Sequence, residues 1–321
     1  MRNIVAGLWM SAIALTASTA HPADYPTRPI TMIVPWGAGG GTDSVARMLA
    51  SLLEKDFGQP INVVNRTGGS GVVGHQAIAT AAPDGYTVGL ITFEITQMHH
   101  QGLTKLDGSS FTPIALINAD PAAIQVSADS PYKTMQDLLD AIRKNPGKLK
   151  ASGTARGGSW HLSLYGMLAD LGIEPSSVPF VPSVSNAAGL QELAAGGVEI
   201  VSGSHPEARA LIEAGKVRSL AIMDVAPSPL FPSVPTLKAA TGSKWIHGVW
   251  RGIVAPKNLP KAIENRLIAA VKKAYDSKDY HDFMSSRGFG VRYLPPQEFA
   301  SMMAKTDLEV GVLMKKFGLV Q

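Results

Sequence analysis

Two glycine-rich loops contain the residues best suited to bind an anion. The first loop, residues 35–43, reads PWGAGGGTD, and the second loop, residues 65–74, reads NRTGGSGVVG. Each loop follows a short apolar run and precedes a segment with the spacing of a helix. Such a loop exposes backbone N–H groups at a helix N-terminus, where glycine lets an anion approach closely. Because neighbouring parallel strands end at the same edge of a sheet, the two loops predict one ligand site there.

A dinucleotide site is the main alternative interpretation of the second loop. Residues 69–74 match the pattern G-x-G-x-x-G, and Glu94 lies about twenty residues further on. In a dinucleotide-dependent oxidoreductase, however, this motif follows the first strand of the unit, whereas here it follows the second. We therefore retain an oxidoreductase as the alternative and favour a protein that binds its ligand without a cofactor.

Sequence motifs of other enzyme classes are absent. The chain contains no G-x-x-x-x-G-K-[ST], H-E-x-x-H or G-x-S-x-G pattern. It also has no cysteine, which excludes a thiolate metal site and a cysteine nucleophile. His99 and His100 could bind a metal, but no carboxylate stands at ligand spacing beside them, so we interpret them as surface or loop residues. These observations predict that the chain is not an enzyme and has no metal site.

Alternating strands and helices must position the two loops. Strands predicted at residues 30–34, 61–64 and 87–92 are separated by helical patterns at residues 45–53 and 72–82. This β-α-β-α-β order predicts a parallel sheet with right-handed crossovers.

A second alternation of strands and helices occupies the rest of the chain, and no linker rich in Pro, Gly and Ser separates it from the first. This arrangement predicts a chain that crosses between two lobes. The predicted helices cover residues 134–145, 159–172, 186–195, 206–214, 260–277 and 296–317, and the predicted strands cover residues 150–152, 178–181, 198–202, 219–223 and 249–255.

The N-terminus has the pattern of a secretory signal. A short basic start is followed by an apolar run over residues 4–15 and by small polar residues that end at Ala20. We expect residues 1–20 to be a signal peptide and the mature protein to be periplasmic. The net charge of +4 comes from Lys and Arg residues that are scattered along the chain, a pattern that predicts no nucleic-acid partner.

Seven motifs, in order, closely resemble the Bug family, the solute receptors of tripartite tricarboxylate transporters. They are the two glycine loops, YPTRPI at residues 25–30, APDGYT at residues 82–87, SWHL at residues 159–162, GKVRSLA at residues 215–221 and FPSVPT at residues 231–236.

The resemblance implies a type II periplasmic-binding-protein fold, with two α/β lobes and a ligand cleft between them. Residues 24–120 and 249–321 would form lobe I, and residues 121–248 would form lobe II. The implied function is the capture of a small carboxylate, which can be a dicarboxylate, a tricarboxylate or an aromatic acid. The receptor, expected to be a monomer, would deliver it to a membrane permease.

The resemblance also assigns candidate ligand-binding residues. In the family, backbone amides of the two glycine loops hold one carboxylate, the segment after the third strand adds side chains, and two loops of lobe II face the ligand. Trp36 is a candidate wall of the cleft. The remaining candidates are Gly39, Gly40, Gly41, Thr42, Gly69, Ser70, Gly71, Thr92 and Glu94 in lobe I and Thr154, Gly158, Ser159, His161, Ser202 and Ser204 in lobe II.

Two departures from the family pattern affect the expected ligand. Many relatives have Phe-Asp-Asn at residues 202–204, where this chain has Ser-Gly-Ser, so an acidic partner for a ligand amine is lost. This change disfavours amino acids and favours simple carboxylates. Glu94 stands where relatives usually have a small polar residue, and it would repel an anionic ligand unless it is protonated or paired with an arginine. The candidate arginines are Arg156, Arg209 and Arg251.

Overall fold

Strands and helices alternate along most of the chain in the computed structural model, which describes residues 25–320. In chain order they are β1 (Ile30–Val34), α1 (Gly41–Phe57), β2 (Ile61–Asn65), α2 (Val72–Ala79), β3 (Thr87–Thr92), β4 (Phe111–Pro121), β5 (Ala123–Ser127), α3 (Met135–Lys144), β6 (Ala151–Ser152), α4 (Ser159–Asp170), β7 (Phe180–Val181), α5 (Asn186–Ala194), β8 (Ile200–Gly203), α6 (His205–Glu213), β9 (Val217–Ile222), α7 (Leu237–Thr241), β10 (Gly248–Pro256), α8 (Lys261–Asp276), α9 (Lys278–Arg287), β11 (Val291–Leu294) and α10 (Pro296–Lys316).

The first sheet has six strands in the order β11-β4-β10-β3-β1-β2. Strands β2 and β3 both pair with β1 in parallel, which confirms the predicted β-α-β-α-β unit. The sheet is not wholly parallel, however, because β10 pairs antiparallel with both β3 and β4, and β11 pairs antiparallel with β4. Both loops of interest, after β1 and after β2, leave the parallel part at the same edge.

The second sheet has five strands in the order β7-β6-β8-β5-β9. Strand β6 runs parallel to its neighbours β7 and β8, whereas β5 runs antiparallel to β8 and β9. We call the first sheet and its helices the first lobe, and the second sheet and its helices the second lobe. All strands of the second sheet lie between Ala123 and Ile222, so the chain leaves the first lobe after β4 and returns to it at β10.

The two crossings between the lobes lie side by side. Only Ala122 separates β4 from β5, and its N–H donates to the carbonyl of His247, the residue before β10, at 2.9 Å. The carbonyl of Ala122 accepts from the N–H of Met223 at 2.7 Å. A few residues at the ends of strands are the usual place of a hinge between lobes, and these two adjacent crossings are of that kind.

Local sequence signals fix the helix ends near the site. Helix α1 ends at Phe57 and is capped by Gly58, whose φ of 64° is the left-handed conformation that glycine adopts most easily. Helix α3 begins with a capping box between Thr134 and Asp137, as the predicted cap at Thr134 requires. Helix α2 ends at Ala79, three residues before the predicted end at residue 82.

Apolar packing is continuous from one lobe to the other. Phe93 and Trp250 of the first lobe belong to the same buried cluster as Ile124 and Trp160 of the second. A separate cluster lies on the α1 and α8 side of the first sheet and includes Leu49. Within residues 25–320, no helix is both long enough and apolar enough to cross a membrane. The predicted signal peptide, residues 1–20, lies outside the described residues.

Candidate ligand-binding site

The N-terminus of α1 receives a carboxylate from the other lobe. The N–H of Gly41, the first residue of this helix, donates to Oε1 of Glu207 on α6 at 3.0 Å. Nearby, the N–H of Gly37 donates to the carbonyl of Val184 in the second lobe at 3.2 Å. A Cβ on Gly41 would lie 2.9 Å from Glu207 Oε1 and 2.5 Å from Nη2 of Arg251. Only glycine therefore allows the two lobes to meet this closely at residue 41.

The N-terminus of α4 receives a carboxylate in the opposite direction. The N–H of Ser159, the first residue of α4, lies 3.4 Å from Oε1 of Glu94, which follows β3 in the first lobe. The other oxygen of Glu94 accepts from the hydroxyl of Thr92 at 2.6 Å, and Trp36 Nε1 donates to Thr92 Oγ1 at 3.2 Å. The Ser159 hydroxyl donates to the carbonyl of Gly248 at 2.6 Å. Each lobe therefore supplies one glutamate to a helix N-terminus of the other, an arrangement that we call the reciprocal caps.

Arg251, on β10, joins the first cap, which is the contact of Glu207 with Gly41, to the strand that leads into the second lobe. Its side chain is only 2% exposed. Nε donates to Thr42 Oγ1 at 3.0 Å, Nη1 contacts the side chains of Asn118 and Asp120 on β4, and Nη2 lies 3.8 Å from Glu207 Oε1. The guanidinium thus bridges α1, the strand that leads into the second lobe, and α6. It pairs with Asp120 and Glu207, and it forms no ion pair with Glu94 within the described chain.

Burial dominates the electrostatics of both glutamates. Loss of solvation raises the pKa of Glu94 above its ordinary value, and the hydrogen bonds from Thr92 and Ser159 offset this only in part. Burial likewise raises the pKa of Glu207, against the opposing effect of the Arg251 guanidinium. The site therefore favours a proton, a cation or hydrogen-bond donors beside these two carboxyl groups.

Several buried polar groups of the second lobe have no hydrogen-bond partner within residues 25–320. Two of them are hydroxyls near the ends of the neighbouring parallel strands β6 and β8. Thr154 lies two residues after β6, and Ser202 is the next-to-last residue of β8. The Nδ2 group of Asn186 donates to the carbonyl of Ser202 at 3.0 Å, whereas its Oδ1 has no partner. A buried hydroxyl without a partner is unfavourable unless a ligand or water supplies one. The unpaired side-chain atoms of the second lobe are Ser130 Oγ, Thr154 Oγ1, His161 Nε2, Asn186 Oδ1, Ser202 Oγ and His205 Nδ1.

The second glycine loop mainly packs against Trp36 and forms one wall of the site. A Cβ on Gly71, whose φ is 95°, would lie 3.1 Å from the Trp36 ring, so the loop rests against this indole. Gly69 is exposed and Ser70 is partly exposed, in contrast to the buried Trp36. The structure thus places these two residues at the rim and brings Trp36, Thr92, Glu94 and Ser159 together in the interior.

The other predicted site residues lie in the loops next to the reciprocal caps. Gly40 precedes α1, Gly158 precedes α4, and Gly39 is exposed and donates its N–H to Asp43 Oδ2 at 3.0 Å. The Ser204 hydroxyl donates to Glu207 Oε2 at 2.9 Å and is therefore engaged in the first cap.

His161 orders the loop that leads into α4. Its Nδ1 accepts from the N–H of Gly157 at 2.7 Å, and its ring stacks on Phe180. Burial lowers the pKa of His161 to about 3, which makes it a neutral hydrogen-bonding group near neutral pH.

Sequence reasoning missed Glu207, whose carboxylate contacts Gly41 in the other lobe. Ser204 and Glu207 have the S-x-x-E spacing of a helix start, and this signal could have indicated a role at the N-terminus of α6. Of the three candidate arginines, only Arg251 is buried between the lobes. Arg156 is exposed, and Arg209 pairs with Glu213 on its own helix at 2.7 Å.

The fold and site place the chain among two-lobed solute-binding proteins, and comparisons identify the family. A profile described as "Tripartite tricarboxylate transporter family receptor" matches residues 45–319. The chain is 31% identical over 317 residues to the UPF0065 protein in the tcbD-tcbE intergenic region of Pseudomonas sp. strain P51, with 96% of this chain and 91% of that protein covered.

Solved structures agree with this result. The periplasmic binding protein BugD is similar with a TM-score of 0.86 and 26% identity over 92% of this chain and 99% of BugD. MatC from Rhodopseudomonas palustris with bound malate is similar with a TM-score of 0.82 and 26% identity over 90% of this chain and 99% of MatC. The chain therefore belongs to the Bug family of tripartite tricarboxylate transporter receptors, as its motifs indicated.

Proposed function

We propose that this protein is a periplasmic receptor that captures a small carboxylate between its lobes and delivers it to a membrane permease. The observation that carries the proposal is the pair of reciprocal caps. The amides of Gly41 and Ser159 are oriented to hold carboxylates at the place where the lobes meet. A ligand carboxylate has the same oxygen geometry as the glutamates that these amides contact.

In this proposal, ligand binding exchanges an internal carboxylate for an external one. A ligand carboxylate at the N-terminus of α4 replaces Glu94, and the hydroxyls of Thr154 and Ser202 gain the partners that they lack within the protein. Closure then follows from contacts made to both lobes, which shifts the population toward the closed state. We assign residues 24–120 and 249–321 to lobe I and residues 121–248 to lobe II, and we expect a monomer.

The side chains around the caps favour a simple carboxylate over an amino acid. Gly203 stands where many relatives have an aspartate that would pair with a ligand amine, and the neighbouring Ser204 is already bonded to Glu207. A dicarboxylate, such as the malate bound to MatC, suits a site of amides and hydroxyls. The burial of Glu94 adds a requirement, because an anionic ligand binds beside it most favourably when Glu94 carries a proton.

The glycines of residues 69–74 have a packing role that needs no dinucleotide. A Cβ on Gly74 would lie 2.4 Å from the Cα of Pro35 and 2.7 Å from the carbonyl oxygen of Arg66, so glycine is required where α2 approaches the first loop. This contact supports a receptor without a cofactor over an oxidoreductase. We infer that the protein is not an enzyme.

A thermal-shift screen of the mature protein tests the proposal. The panel contains mono-, di- and tricarboxylates, aromatic acids, amino acids and NAD. A ligand present at about one hundred times its Kd should stabilise the protein by about 2.7 kcal/mol, a shift of a few degrees. Stabilisation by one carboxylate class, with none by NAD, is the expected result. Stabilisation by NAD alone would overturn the proposal in favour of the oxidoreductase.

A further inference from the structure

His99 and His100 both approach one carboxylate from a distant helix. The two histidines lie in the turn after β3, and Asp307 lies on α10. Asp307 Oδ1 is 3.3 Å from His99 Nε2 and 3.2 Å from His100 Nε2. Sequence spacing alone argued against a metal site here, because no carboxylate stands beside the histidines. The fold, however, brings in a carboxylate from 207 residues beyond His100.

The spacing of these atoms is that of ligands around a small metal ion. One ligand atom from each residue lies within 4.8 Å of the others. Zn²⁺ binds imidazole nitrogen and carboxylate oxygen at about 2.0–2.2 Å, so neighbouring ligands in a tetrahedral site are about 3.3 Å apart. The two nitrogen–oxygen distances, 3.3 and 3.2 Å, have this value. Only small movements are therefore needed to place an ion between the three groups.

Helix α10 leaves room for the histidine pair. Gly311 lies one turn after Asp307, and a Cβ there would lie 2.7 Å from His100 Cε1 and 3.0 Å from His100 Nε2. Glycine weakens the interior of a helix, so a glycine against the ring indicates a need for this close approach. The two imidazoles are 4.1 Å apart between ring centres. The three side chains are between 20% and 24% exposed, which leaves one side of the cluster open to water.

We propose that His99, His100 and Asp307 form a binding site for one Zn²⁺ ion, with water as the remaining ligand. Two imidazoles and one carboxylate suit zinc and similar transition metals, whereas Mg²⁺ and Ca²⁺ prefer sites made of oxygen. The ion would fasten the turn after β3 to α10. Gln101 in the same turn donates to the carbonyl of Arg156 in the second lobe at 2.9 Å, so zinc would stiffen the first-lobe side of a contact between the lobes.

Calorimetric titration of the mature, tag-free protein with ZnCl₂, after removal of metals with a chelator, tests this site. We expect one ion per chain. His99→Ala and Asp307→Asn should each weaken zinc binding by at least about tenfold. His281→Ala, which removes an exposed histidine on α9, is the matched control and should bind zinc like the unsubstituted protein. Equal zinc affinity in His99→Ala, or no saturable heat with the unsubstituted protein, would overturn the proposal.

Cobalt spectroscopy of the unsubstituted protein gives a second test that does not depend on the folding of any variant. Co²⁺ bound by two imidazoles, a carboxylate and water in a tetrahedral arrangement absorbs visible light strongly, and Zn²⁺ should abolish this absorption by displacement. A weak spectrum typical of octahedral Co²⁺, or the absence of any bound Co²⁺, contradicts the site. Neither result bears on carboxylate capture, which the screen with organic ligands tests separately.

Discussion

Replacing Glu94 by glutamine should strengthen the binding of an anionic ligand. Glu94 is buried between the lobes, its hydrogen-bond donors are Thr92 and Ser159, and it forms no ion pair within the described chain. Its charge therefore opposes any carboxylate that binds nearby. Glutamine keeps the size and the acceptor oxygen but removes that charge.

The magnitude follows from the repulsion that is removed. Two unit charges about 8 Å apart repel by about 2 kcal/mol at an effective dielectric constant of about 20, which corresponds to a Kd lower by up to about thirtyfold in Glu94→Gln. Because burial raises the pKa of Glu94, a growing share of the protein carries a neutral Glu94 as the pH falls. The gain should therefore be largest at pH values above the raised pKa of Glu94 and should shrink as the pH falls through that pKa.

Calorimetric titration at several pH values measures this difference, with the carboxylate that gives the largest shift in the screen. Glu213→Gln is the matched control, because it removes the same charge from a side chain on α6 that is 55% exposed, and it should leave Kd unchanged. Weaker binding by Glu94→Gln at every pH would refute the reasoning. That result would mean that the ligand donates a proton or presents a cation to Glu94.

Three further substitutions test other parts of the site. Ser202→Ala should weaken carboxylate binding by about tenfold or more, because its hydroxyl is free to bind the ligand, and it should not lower the melting temperature, because that hydroxyl has no partner within the described protein. Equal weakening by the control Ser176→Ala, at an exposed position, would contradict this. Gly41→Ala should also raise Kd by at least about tenfold, because its Cβ would meet Arg251 Nη2 at 2.5 Å and keep the lobes from closing fully. Small-angle scattering that shows unchanged closure of this variant with saturating ligand would count against this reasoning. Burial raises the pKa of Glu207 in the folded protein, so its stabilising effect is present at low pH and is lost as the pH rises from about 4.5 through the folded pKa. The melting temperature of Glu207→Gln should therefore exceed the unsubstituted value by a margin that grows as the pH rises from about 4.5 through the folded pKa of Glu207. A difference independent of pH in scanning fluorimetry would exclude this linkage.

The parallel unit and its loops could be predicted because their signals are local. Strands β1 to β3 are short apolar runs bounded by Gly, Pro and Asp residues, and α1 is capped by a glycine with φ of 64°. Each of these features depends on neighbouring residues only. Pattern analysis therefore located both glycine loops correctly at one edge of the sheet.

Strand β4 could not be predicted, because its polar residues conceal it. Asn118 and Asp120 interrupt an apolar run and suggest a loop, yet both are buried and both contact Arg251. They lie two residues apart and so share one face of the strand, as their common partner requires. Their partner is more than 130 residues away, so no local pattern shows that the two polar groups are satisfied.

The reciprocal caps were beyond sequence reasoning for the same reason, and they change the view of affinity in this receptor. If Gly41 and Ser159 bound only ligand, each hydrogen bond to a ligand carboxylate would add its full value to binding. Because Glu207 and Glu94 contact these amides when the lobes meet, the ligand gains only the difference between its own carboxylate and a glutamate. The protein's own glutamates thereby stabilise part of the closed state. Selectivity among ligands then depends on the polar groups that form no hydrogen bond with a glutamate. Those groups are the hydroxyls of Thr154 and Ser202, so substitutions there should change which carboxylate is preferred, whereas substitutions at the caps should change how readily the lobes close.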